Sequence, residues 1–149
     1  MALVLALPEH YGWVLLAGVS TGWLTLWQSH LVGRHRRAAG ISYPQAYAEK
    51  AEVKASKEAL KFNCAQRAHQ NTLETLPITL FFLLFSGLTY PTVAAILGAL
   101  WVLGRVVYTI GYVTGDPAKR TYGFFNFIGP LGLLFIASWS VVKLLCDTL

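Results

Sequence analysis

The chain has 149 residues, 55% of them hydrophobic and only 13% charged, about half the charged share of an ordinary soluble domain. That is too little polar side chain to clothe a water-soluble fold this small, so a disordered chain, a disulfide scaffold and most soluble folds are excluded, leaving a small polytopic membrane protein. The net charge of +5 reads as cytosolic loops and not as a nucleic-acid surface, because no basic helix alternates with an aromatic platform.

Met1 to Pro8 is apolar but lacks a basic leader region, and it runs through Glu9 and His10 into a long apolar stretch. It reads as an uncleaved N-terminus. Tyr11 to Val32, Thr75 to Gly104 and Thr121 to Val142 contain no Asp, Glu, Lys or Arg. A helix needs about 20 apolar residues to cross the hydrocarbon of a bilayer. Spans are therefore expected near 11–32, 66–88, 92–113 and 122–145, with the chain forming one domain. Ser20, Thr21, Thr25, Gln28 and Ser29 dilute the first span; small polar residues of this kind suit close helix contact inside a bundle. Ser86 to Pro91 reads as a turn with Pro91 at a helix start, and Gly115-Asp116-Pro117 ends the third span.

The segment His30 to Ala65 reads as a first loop carrying Arg34, Arg36, Arg37, Lys50, Lys54, Lys57 and Lys61 against Glu49, Glu52 and Glu58. The third loop carries Lys119 and Arg120 against Asp116. Excess Lys and Arg marks the cytosolic side, so loops one and three are expected there and both termini opposite. Cys64 and Cys146 lie far apart and make no metal pattern with the four histidines; no metal is expected.

Charge inside a span points to function. At about 100° per residue, Arg67, Asn71 and Glu74 share an arc of about 60° on the second span, with His69 on the other side. Arg105, Tyr108 and Tyr112 share a similar arc on the third. Two stripes on neighbouring helices near the cytosolic border can face one cleft. One reading is an ion pair, Arg67 or Arg105 with Glu74, that only fixes helix register. The other is an anion site: Arg67, Arg105, Lys119 and Arg120 outnumber Glu74 and Asp116, and arginine forks suit carboxylates. The tyrosine hydroxyls favour the second, as an ion pair does not need them. No Ser-His-Asp triad, nucleotide loop or HExxH motif is present, and the spans carry no acid ring suited to a cation pore.

The run Phe62-Asn-Cys-Ala-Gln-Arg-Ala-His-Gln-Asn-Thr-Leu-Glu74, followed by Pro77, resembles the second-helix signature of the membrane-associated proteins in eicosanoid and glutathione metabolism (MAPEG). Gly104-Arg-Val-Val-Tyr-Thr-Ile-Gly-Tyr-Val-Thr-Gly-Asp-Pro-Ala-Lys-Arg120 resembles their third-helix signature. The resemblance spans essentially the whole chain. It implies an all-α integral membrane four-helix bundle, assembled as a homotrimer with glutathione between subunits. It implies glutathione as co-substrate, and a hydrophobic electrophile or lipid hydroperoxide as the second reactant; cysteinyl-leukotriene synthesis is a related activity. By position, Arg67, Asn71 and Glu74 match glutathione-binding residues of the second helix, and Arg105, Tyr108 and Tyr112 those of the third. Arg120 matches the thiol-activating arginine, allowing one residue of difference in the preceding turn. One further first-loop arginine corresponds to Arg34, Arg36 or Arg37. Thr75 stands where related synthases have tyrosine, and His69 replaces a glutamine of some relatives. The resemblance places the protein in the endoplasmic reticulum or the mitochondrial outer membrane. A non-catalytic lipid-binding scaffold of the lipoxygenase-activating type is the alternative; such members lack a full catalytic set, and Arg120 argues for an enzyme. A transporter is disfavoured because the polar residues gather at one face of the membrane.

Overall fold

The computed structural model describes residues 6–148, and all regular structure among them is helical. The reading of Met1–Pro8 as a retained N-terminus falls largely outside this range. Helix α1 (Tyr11–Ala39) is followed by the short α2 (Lys50–Ala55), then α3 (Lys57–Thr89) and α4 (Pro91–Tyr112). A 3-10 segment, Pro117–Phe127, leads into α5 (Ile128–Thr148).

Tyr11, Val14, Ala17, Thr21, Leu24 and Gln28 are the buried residues of α1 within the expected span. They recur every three or four positions, so one face of the helix turns inward. The helix stops at Gly40, whose φ of 68° is left-handed. There Gly40 N–H donates to Arg37 O and Ile41 N–H to Arg36 O, the paired bonds of a Schellman ending that only a residue tolerant of positive φ makes cheaply. Glu49 and Glu52 form a capping box at the start of α2. Pro91 opens α4, where its missing N–H costs nothing.

Helices α1, α3 and α4 pack on one another, and α5 packs on α3 and α4. One core, of Tyr11, Val14, Ala17, Leu83, Ala94 and Leu133, lies toward the N-terminal end of α1. The inward faces carry many small and polar side chains, such as Ala68, Thr72, Ser86 and Thr109, beside a few large ones such as Trp101 and Phe62, while many large apolar side chains point out: Trp23 is 71% exposed and Phe135 72%. Apolar exposure on this scale needs lipid or a neighbouring chain to cover it.

Among the described residues, three stretches are long and apolar enough to cross a membrane: Lys57–Thr89, Pro91–Tyr112 and Pro117–Thr148. Helix α1 has the length, 29 residues, and its polar side chains keep it out of that set.

Three boundaries depart from the sequence expectation. Ser86 to Thr89 are the last helical turn of α3 and not part of the interhelical turn, which narrows to Tyr90 before Pro91. Residues 30–65 are largely helical and not a loop, because α1 continues to Ala39 and α3 begins at Lys57. Charge ends a membrane span without ending a helix, and Arg, Lys, Ala and Glu all favour helix in water. The stretch from 122 begins as 3-10 turns, with α-helix only from Ile128.

Candidate functional site

The α3 stripe is a connected set. Arg67 Nη1 donates to Glu74 Oε1 at 3.0 Å, and Asn71 Nδ2 to Glu74 Oε2 at 3.4 Å. Both members of the Arg67–Glu74 pair are 45% exposed, so this is a surface pair and not a buried one that pins helix register. Nor does Arg105 pair with Glu74. Arg105 is 1% exposed. Its Nη1 donates to Asn71 Oδ1 at 2.8 Å, Nε and Nη2 donate to Thr72 Oγ1 at 3.0 and 2.8 Å, and Nη2 also donates to Ala68 O at 3.1 Å. The guanidinium stands 4.3 Å from the Tyr108 ring centre, and Tyr108 meets Tyr112 edge to face at 5.6 Å. Asn71 thus joins the two stripes.

Arg120 arrives from the 3-10 segment. That segment lies along α4 because three glycines remove the side chains between them. A Cβ at Gly123 would meet Gly104 O and stand 2.6 Å from Tyr108 Cβ; one at Gly104 would stand 2.6 Å from Asn126 Cβ; one at Gly111 would meet Lys119 O. Asp116 caps the segment, its Oδ1 accepting from Ala118 N at 3.1 Å. The result is a cleft of about 360 Å³ lined by Arg67, Asn71, Tyr108, Tyr112 and Arg120 together with Phe124. Of the residues chosen from sequence, Glu74 is held at the side by Arg67, and Arg105 lies behind Asn71 and Tyr108.

The charge balance is one-sided. Glu74 is paired with Arg67, and Asp116 lies 3.9 Å from Lys119. Arg105 and Arg120 have no carboxylate within 4.0 Å among the described residues. Two arginines without acids beside two phenol groups have the donors that suit carboxylates or a thiolate. A larger groove of about 540 Å³ between α1 and α4, lined mostly by apolar residues such as Trp13, Leu16, Ile96 and Leu103, contains no charged side chain for an anion.

The sequence matches the MAPEG family over residues 14–140. The chain belongs to the MAPEG family. It is also 34% identical over 118 residues to an uncharacterized protein of Synechocystis sp., covering 76% of this chain and 74% of that one. Membership makes it an integral membrane protein of a family that includes glutathione transferases and non-catalytic members.

The three arginines expected in the first loop of a MAPEG chain, Arg34, Arg36 and Arg37, stand on the last turns of α1. Arg36 is committed: 6% exposed, it donates from Nη1 to Gln45 O at 2.6 Å and lies between the Tyr43 and Phe62 rings at 4.2 and 4.5 Å. Arg34 and Arg37 are exposed. Thr75 bonds back to its own helix, at Asn71 O and Thr72 O. His69 is half-buried on α3.

Sequence reasoning missed Thr72, Thr109 and the role of Gln28. Gln28 is 1% exposed and its Nε2 donates to both threonine hydroxyls, at 2.9 and 2.7 Å. Gln28 was legible only as a polar residue diluting α1; its contacts depend on three helices meeting.

Proposed function

We propose that this chain is a membrane-bound glutathione S-transferase with glutathione-dependent peroxidase activity, acting on hydrophobic electrophiles and lipid hydroperoxides. The motif forms are most similar to those of microsomal glutathione S-transferase 3. The observation that carries the reading is the pairing pattern: the acids beside the cleft are each bound to a base, while Arg105 and Arg120 are not.

In this reading the carboxylates of glutathione meet the cations of α3 and α4, and Glu74 and Asn71 take its amine and amide groups. Tyr108 and Tyr112 add hydroxyl donors. Arg120 stands at the thiol. A free thiol titrates near 8.5, so little of it is nucleophilic at neutral pH. Lowering that value by about two units takes about 2.7 kcal/mol of preference for the anion. A charge-assisted bond from Arg120 in a partly dry cleft supplies this. No protein cysteine is required, because the sulfur belongs to the substrate.

The reading includes α1 as a fourth span, since 29 residues reach about 43 Å, beyond the hydrocarbon thickness. It includes a homotrimer, with the outward aromatic faces shared between neighbours and lipid. Loops one and three are cytosolic, and the membrane is that of the endoplasmic reticulum or the outer mitochondrion. Steady-state kinetics of purified protein with glutathione and a panel of electrophiles and lipid hydroperoxides test the proposal. Turnover of any panel member is expected; binding of lipid without conjugation or peroxide reduction would identify a non-catalytic scaffold instead.

A further inference from the structure

The Arg105 guanidinium is a buried cation held only by neutral groups: the oxygens Asn71 Oδ1, Thr72 Oγ1 and Ala68 O, and the Tyr108 ring. Beneath it, Gln28 of α1 shares one of those oxygens, since Thr72 Oγ1 accepts both from Arg105 and from Gln28 Nε2. The same amide nitrogen reaches Thr109 Oγ1, which in turn donates to Arg105 O. Gln28 therefore ties α1 to both helices that carry the cleft, one atom away from the charge. Its Oε1 has no hydrogen-bond partner, although the residue is 1% exposed.

Burying a charge without a partner is costly. A glutamate at position 28 would have nearly the shape of glutamine and would supply the missing partner. The chain has a neutral amide there. Arg105 is not itself in the cleft wall, but the two groups it touches, Asn71 and Tyr108, are. Over such short distances in a dry medium a charge is felt strongly.

We infer that Gln28 is an affinity-determining residue: it fixes Thr72 and Thr109 around the guanidinium while leaving the Arg105 charge uncancelled, so that an anionic group of the substrate in the cleft becomes its counter-ion. This rests on the proposal that the ligand is glutathione, and goes beyond it by assigning the source of its anion selectivity to a residue outside the cleft.

The test measures binding of glutathione and of glutathione diethyl ester, whose carboxylates are masked, to purified wild type and Gln28→Glu. The variant is expected to lose about tenfold or more in affinity for glutathione and none for the diester. A purely structural role for Gln28 would weaken both ligands alike, and that result overturns the inference, as does an unchanged glutathione affinity. Should Gln28→Glu fail to fold, Thr109→Asp places the acid on the other side of the same amide, with the same expected selective loss and the same overturning results. Failure of the wild type to bind glutathione removes the underlying proposal and this inference together, and is distinguished from failure of this inference alone, where the wild type binds.

Discussion

Arg105 on α4 donates from Nη1 to Oδ1 of Asn71 on α3 at 2.8 Å. The other end of the same amide reaches Glu74 at 3.4 Å. One side chain thus connects a buried cation to an exposed ion pair, and two stripes on separate helices become one wall.

Replacing Arg120 by Ala is expected to lower kcat about 25-fold at pH 7, the fall in ionised fraction when a thiol pKa returns from about 6.5 to about 8.5, while glutathione still binds. Stopped-flow ultraviolet absorbance of the bound thiolate checks this. An undiminished thiolate signal would remove Arg120 from the role of activator.

Arg67→Ala should raise KM for glutathione several-fold with kcat little changed, because Arg67 lines the cleft away from the 3-10 segment and holds Glu74 in place. Initial-rate kinetics over a glutathione series separate the two parameters. Loss of folding in detergent with no change in KM per folded molecule would assign Arg67 to stability.

These stripes were legible in the sequence because three residues at i, i+4 and i+7 define an angle on one helix without knowledge of its neighbours. Their meeting was also foreseeable from order along the chain. Gln28, Thr72 and Thr109 were not, since each is an ordinary polar residue until three helices bring the hydroxyls to one amide. The extent of α1 and α3 was misread for a different reason. Arg34, Arg36 and Arg37 mark where the hydrocarbon is expected to end, and the helix crosses that point unchanged to Ala39. At Ile128 the sequence signal was weak, because Thr121 to Phe127 carry no charge and nothing in them marks where the 3-10 turns give way to α-helix.

Thr72→Val keeps the shape of the side chain and removes the oxygen shared by Gln28 and Arg105. Leaving buried donors unmatched costs about 1–3 kcal/mol, so the variant should unfold at a lower temperature. Thermal denaturation in detergent with and without saturating glutathione measures the loss. A melting temperature equal to that of the wild type would show that the donors find other partners.

Gly123→Ala forces a methyl group against Gly104 O and Tyr108 Cβ. Overpacking of this kind costs about 1–3 kcal/mol and should displace the segment that carries Arg120. The expected signature is a fall in kcat larger than any change in KM. Gly22→Ala, where nothing lies within 4 Å of the added atom, is the control and should behave as wild type.

The seam of Gly104, Gly111 and Gly123 has one more consequence, for how a ligand gets in. Backbone seated this closely on backbone means that the stretch from Pro117 to Phe127 can swing as a flap only by breaking those contacts. Admission along the open side of the cleft leaves them intact. The same seam sets a spacing rule: Lys119 faces Gly111 while Gly123 faces Gly104 and Tyr108, so a residue inserted between 119 and 123 can preserve one contact only by losing the other.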